Sequence, residues 1–275
     1  MANKLNESDY DQNSLAEKFI AFQGLNFNDS VDKHNVMVNF DTDYILFLIK
    51  RGLSYVKLNF PVECALDVGC GAGNICRFLI EEKLAEYVVG VDNSHDMLKY
   101  AKAGSNDDTV HYNYVNVNVA TDDLITVVGK KVPLIVQTYM LIHAETSDQL
   151  LYILSNIAKV SCGLFVGIIP NPNLDLTSDA AKKLIKYGTK FTLLEEENSV
   201  KDGMAYQVTY EHGTPGEITL VDHWYSAATY ERLFEQAGFK FLEWVPVEAI
   251  GNKDNASLAD LTETASVIGF IVRKM

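Results

Sequence analysis

From residue 63 onward, short apolar runs alternate with stretches whose apolar residues recur at helical spacing. Glu63 to Val68 is a compact apolar run that ends at glycines, the pattern of a strand buried on both faces. Gly73 to Glu82 follows as a helix, with Ile75, Phe78 and Leu79 on one side. Tyr87 to Asp92, Val110 to Val117, Val132 to Met140 and Gly163 to Ile169 supply four more strands. Between them, Ser94 is placed to cap a helix bearing Met97, Leu98 and Ala101. Thr146 and Gln149 form a capping-box pattern ahead of the stripe Leu150, Ile153, Leu154 and Ile157. Strands and helices in strict alternation predict a parallel sheet covered on both faces.

The alternation breaks after residue 170. A helix-like stretch at 180–187 precedes three strand-like segments, Phe191 to Leu194, Met204 to Tyr210 and Glu217 to Trp224. Turn residues separate them at Lys201-Asp202-Gly203 and Gly213-Thr214-Pro215-Gly216. The helical pattern resumes at Ser226, carries Tyr230, Leu233, Phe234 and Ala237, and stops at Gly238. Phe239 to Val247 and Ser266 to Arg273 are the last two strands. The expected architecture is a Rossmann-like, doubly wound α/β fold with a seven-stranded, mostly parallel sheet. The expected organisation is a helical N-terminal extension (1–62) with Tyr44 to Ile49 as its most apolar run, a core (63–170), an antiparallel cap insertion (171–225) and completion of the core sheet (226–275).

Charge then narrows the partners. The 275 residues carry a net charge of −14, a field that repels phosphate backbones and argues against nucleic acid. No apolar run approaches the roughly 20 residues of a membrane span, and Met1 to Gln12 lacks the layout of a signal peptide. A cytoplasmic protein is expected, with Cys64, Cys70, Cys76 and Cys162 as buried free thiols and no metal. Monomer and homodimer both stay open.

The candidate chemistry sits at Asp67-Val68-Gly69-Cys70-Gly71-Ala72-Gly73-Asn74. Glycines between a strand and a helix let the backbone turn sharply and approach a ligand, and the helix start adds unpaired N–H groups. Dinucleotide enzymes also use such a loop, but Asn74 stands where their third glycine would be. Asp67, two residues before the first glycine, would repel a pyrophosphate and suits an ammonium group instead. Asp92, ending the second strand, stands where an acid holds a ribose through its hydroxyls.

The glycine segment resembles motif I of the class I S-adenosylmethionine (SAM)-dependent methyltransferases, and the resemblance extends over residues 63–170. It implies SAM as cofactor, S-adenosylhomocysteine (SAH) as product, and cofactor contacts from Asp67, Gly69, Cys70, Gly71 and Gly73, with Asp92 on the ribose. Asn93 and Met97 would border the adenine. Asn118 and Val119, after the third strand, stand where the family often has an Asp, and the Asn118 carbonyl can accept from the adenine amine. Gln137 and Thr138, at the end of the fourth strand, would lie near the methionine part. Tyr10-Asp11 resembles the opening of small-molecule enzymes whose first helix covers SAM.

The cap resembles that of toxoflavin synthase-like and glycine N-methyltransferase-like enzymes, as does the run from Tyr225 to Phe239. The implied acceptor is a small molecule methylated on nitrogen or oxygen. His143, His223 and Tyr139 are the candidate catalytic residues, with Asn171 and Tyr225 expected to face the same cavity. His34, His95, His111 and His212 are read as structural or exposed. A methyltransferase of protein or nucleic acid, a non-catalytic SAM-binding protein and a dehydrogenase remain the rival readings.

Overall fold

The computed structural model describes residues 9–11, 15–22, 36–106, 108–187, 189–194, 200–210, 217–247 and 265–275. Two helices open it, α1 (Leu15–Phe22) and α2 (Val36–Gly52). Strand β1 (Ala65–Val68) leads through the glycine turn into α3 (Asn74–Glu81). The core continues with β2 (Val88–Asp92), α4 (His95–Gly104), β3 (Tyr112–Asn116), α5 (Leu124–Val128), β4 (Val132–Thr138), α6 (Ser147–Val160) and β5 (Ser161–Pro170). The cap holds α7 (Asp179–Lys183), β6 (Lys190–Leu193), β7 (Met204–Tyr210) and β8 (Ile218–Trp224). Helix α8 (Ala227–Gln236), β9 (Phe239–Pro246) and β10 (Val267–Lys274) finish the chain.

Seven strands form one sheet in the order β3-β2-β1-β4-β5-β10-β9. The first five are parallel, and β10 runs antiparallel between β5 and β9. The order reverses beside β1, which opens a crevice at the strands' C-terminal ends. Strands β6, β7 and β8 make a separate antiparallel sheet. The turn at residues 213–216 and the histidines His34 and His212 lie outside the described residues.

Strand side chains alternate between two cores. Leu66 and Val68 pack with Leu124 of α5, Leu150 and Leu154 of α6 and Phe234 of α8. Ala65 and Val88 face the other way, among Leu48 of α2, Leu79 of α3 and Leu98 of α4. The expected caps form: Ser94, Thr146 and Ser226 accept from the N–H groups of Met97, Gln149 and Thr229. Helix α5 has no counterpart among the expected elements. Its LITVV sequence is rich in β-branched residues, and its first amide is held by the buried side chain of Asn156 on α6, at 3.0 Å. Cys162 is exposed, unlike the other three cysteines, because it stands at the rim where β5 begins.

Tyr44 ties α2 to the antiparallel edge of the sheet. Its hydroxyl donates to the Val245 carbonyl and accepts from the Gly269 N–H at 2.8 Å, joining two residues that face each other across β9 and β10. Tyr44→Phe strips partners from both buried groups and should cost about 1–3 kcal/mol in urea unfolding. An unchanged midpoint would rule out this role.

Candidate functional site

The glycine turn is held open by its backbone. Gly69, Gly71 and Gly73 all have positive φ, at 74°, 51° and 78°. Gly69 and Cys70 donate to the Val91 carbonyl at 2.8 and 3.0 Å, so the turn is anchored to β2. A Cβ on Gly71 would meet nothing within 4 Å, so the turn borders open space there. The Asp92 carboxylate spans the two strand ends, with one oxygen accepting from Gly71 N–H and the other from Ser94 N–H, each at 2.8 Å. Burial raises its pKa, which those backbone donors oppose.

These groups border a cavity of about 560 Å³. That volume lies within the range of roughly 300–1,000 Å³ of small-molecule sites. Of the cofactor residues expected from sequence, Tyr10, Gly69, Cys70, Gly71, Asp92 and Asn93 lie on its wall. Met97, Asn118, Val119 and Thr138 join them. The side-chain oxygen of Asn118 also accepts from Ala120 N–H at 3.0 Å.

Asp67, Gly73 and Gln137 do not reach the wall. Asp67 lies under the turn, 1 % exposed, where one oxygen accepts from the Cys76 thiol at 3.2 Å and the other has no hydrogen-bond partner among the described residues. Burial pushes its pKa up to about 7. Gly73 is a packing glycine, since a Cβ there would come within 2.7 Å of the Tyr114 hydroxyl. Gln137 is wholly buried; it donates to the Ile168 carbonyl and accepts from Met140 N–H, and so shapes the turn that leaves β4.

That turn presents the catalytic candidates. Tyr139 has φ 59°, a conformation costly for a bulky residue, and it lines the cavity. Its hydroxyl donates to Asp41 of α2 at 2.9 Å. His143 and His223 lie on the same wall. His143 Nδ1 is 3.5 Å from Asp222 Oδ1, an ion-pair distance rather than a good hydrogen bond. Desolvation lowers the His223 pKa, and its buried Nδ1 has no hydrogen-bond partner among the described residues. Two other expected residues turn away from the cavity: Asn171 donates to the Ala265 carbonyl, and the buried Tyr225 donates to the Ala144 carbonyl. His95 and His111 are exposed.

Sequence reasoning passed over Asp41 and Asp222. Both line the cavity, and burial pushes each carboxyl up to about 7, against the Tyr139 hydrogen bond in the case of Asp41. In a strand, Asp222 and His223 should face opposite ways, yet both reach the wall, because the end of β8 sits over the cavity. The cap and the N-terminal segment close the site. Ala16 and Ile20 of α1 pack with Ala72 and Met97, while Phe19 meets Tyr210 of the cap edge-on at 6.1 Å. Asp11 accepts from Ser94 Oγ at 2.6 Å and from Asp96 N–H at 3.0 Å, pinning that segment beside Asp92.

Residues 65–161 match a family described as a methyltransferase domain. A sequence search of curated proteins finds no match. Among solved structures, the chain is similar to a SAM-dependent methyltransferase from Clostridium acetobutylicum, at 15 % identity and TM-score 0.59, over 94 % of this chain and 98 % of that one. It is similar to the magnesium protoporphyrin IX methyltransferase of Synechocystis with bound SAH, at 13 % identity and TM-score 0.57, over 97 % of each chain. A glycopeptide N-methyltransferase complexed with sinefungin gives 13 % identity and TM-score 0.55, over 84 % of this chain and 85 % of that one. At such identities the likeness speaks for the fold alone, a Rossmann-like architecture that the chain shares with these methyltransferases. Among the described residues no helix is long and apolar enough to cross a membrane, and no cluster of three or more His, Cys, Asp or Glu is placed to hold a metal ion.

Proposed function

We propose that the protein is a SAM-dependent methyltransferase that places the methyl group on a nitrogen or oxygen of a small-molecule acceptor. The observation that carries this reading is the pairing of Gly71 with Asp92. A backbone without side-chain bulk and a carboxylate hydrogen-bonded to it border the same open space. These residues fit the cofactor. Asp92 has lone pairs left for two ribose hydroxyls, Asn93, Met97 and Val119 form an adenine-sized wall, and Thr138 and Tyr139 stand at the methionine end. With Asp67 sealed beneath the turn, Asp41 is the carboxylate on the wall beside Tyr139 that suits the cofactor's ammonium group.

The sulfonium of bound SAM supplies an activated methyl group. The chain's own residues then have to align the acceptor with it and exclude water. Helix α1 and the cap sheet roof the cavity, which suits a small acceptor better than an extended polymer. His143 lies on the cavity wall and is exposed enough to exchange protons with solvent, so it offers a route by which a proton lost by the acceptor can leave.

Calorimetry with SAH and NAD tests the cofactor: SAH should bind and NAD should not. Tight NAD binding without SAH binding would sink the proposal in favour of a dehydrogenase. His143→Ala should lower turnover about 100-fold, the lower end of the usual range for a proton-transfer group, while SAH affinity stays near wild type. Wild-type turnover in that variant would remove His143 from the chemistry.

A further inference from the structure

Asp222 is costly where it stands. Its residue is 3 % exposed, it lines the cavity, and its Oδ1 has no hydrogen bond among the described residues. A buried carboxylate whose Oδ1 has only the long 3.5 Å contact with His143 Nδ1 loses its hydration and regains little, so its retention calls for an explanation. Val208, Leu220 and Phe191, on the same cavity wall, are apolar. The wall also carries Asp41, Asp92 and Glu145, and among its described residues there is no Lys or Arg. Bound SAM brings two positive groups and one carboxylate, which leaves the cap end of the cavity negative. Tyr210 lies within electrostatic reach of both Asp222 and Asp41, and Tyr139 and Phe191 add further aromatic surface. Carboxylate together with ring faces is the chemistry that holds an ammonium ion.

Building on the function proposed above, we propose that the acceptor is a basic amine. It enters as its ammonium ion against Asp222 and the aromatic wall, and Asp222 takes the proton that the nitrogen must lose before it reacts. The ammonium R–NH3+ gives one proton to the carboxylate, leaving R–NH2 and a neutral carboxylic acid. The nitrogen lone pair forms the new N–C bond as the methyl–sulfur bond breaks, and that electron pair stays on sulfur. The product leaves as R–NH2–CH3+. Asp222 then passes its proton to the unprotonated Nδ1 of His143, 3.5 Å away, whose side chain is 44 % exposed and releases it to solvent. Burial pushes the Asp222 carboxyl up to about 7, which suits a base that must take and return a proton near neutrality.

The test titrates SAH-saturated protein with benzylamine and cyclohexylmethylamine, and with their alcohols benzyl alcohol and cyclohexylmethanol. The amines should bind at least about tenfold more tightly than the alcohols, as expected for a buried charge-assisted contact. Asp222→Asn should abolish that preference and leave the SAH affinity near wild type. Intact SAH binding with no amine preference, or a preference that survives Asp222→Asn, overturns this inference alone. Absence of SAH binding overturns the function on which it rests. Should the variant not fold, the amine-to-alcohol ratio of the wild-type protein still decides.

Discussion

Asp92→Asn should weaken SAH binding by about 30- to 100-fold, the equivalent of roughly 2–3 kcal/mol. Two losses combine. The ribose hydroxyls would no longer donate to a full negative charge, and charge-assisted hydrogen bonds exceed neutral ones. The second loss is built into the turn. One carboxylate oxygen of Asp92 accepts from Gly71 N–H and the other from Ser94 N–H. An amide has only one oxygen, so whichever way the substituted side chain is turned, its NH2 group faces a backbone donor. Either the glycine turn or the start of α4 loses its anchor. Calorimetry reads the affinity, and thermal unfolding without ligand reads the backbone cost. A dissociation constant within about threefold of wild type would remove Asp92 from the cofactor site.

Gly69→Ala should lower the melting temperature by roughly 6–12 °C, from a cost of about 3 kcal/mol at about 2–4 °C per kcal/mol. Part of the cost is conformational, because Gly69 has φ 74°. The larger part is steric. A Cβ at Gly69 would stand 2.7 Å from both Cβ and Cγ of Met140. The Cβ of Met140 cannot swing aside, since it is fixed to a backbone whose N–H is held by Gln137. The turn must move, and it moves at the wall of the cavity proposed for the cofactor, so SAH affinity should fall with stability. Gly129→Ala separates the two effects. Gly129 has the same φ of 74°, but a Cβ there meets nothing within 4 Å. That control should lose only about 1 kcal/mol and keep its SAH affinity. Equal melting shifts in the two variants would show that Met140 does not confine the turn.

The strands and helices of the core were legible because their signals are local. Burial on both faces makes β1, β2 and β4 read as continuous apolar runs, and Ser94, Thr146 and Ser226 announce helix starts by chemistry that needs no distant partner. The cap strands were equally plain, since β7 alternates inward and outward residues between turn signals. Helix α5 was invisible for the opposite reason: five residues, four of them β-branched, take their helical form from Asn156, thirty-two positions away from the amide it holds. The site divides the same way. Glycines before a helix and an acid at the next strand end can be recognised in the sequence itself. That Asp67 and Gln137 are sealed inside, while Asp41 and Asp222 face the cavity, depends on what α2 and the cap sheet cover.

The order of strands and helices, the glycine turn and the place of Asp92 beside it follow from the chain alone, because each depends on neighbours a few residues apart and on the fixed periods of strand and helix. Which carboxylates stand in the cavity, and how far burial raises them, was decided only by folding. Desolvation depends on everything that packs around a group, and His143, the group beside Asp222, comes from a segment far from it in the chain.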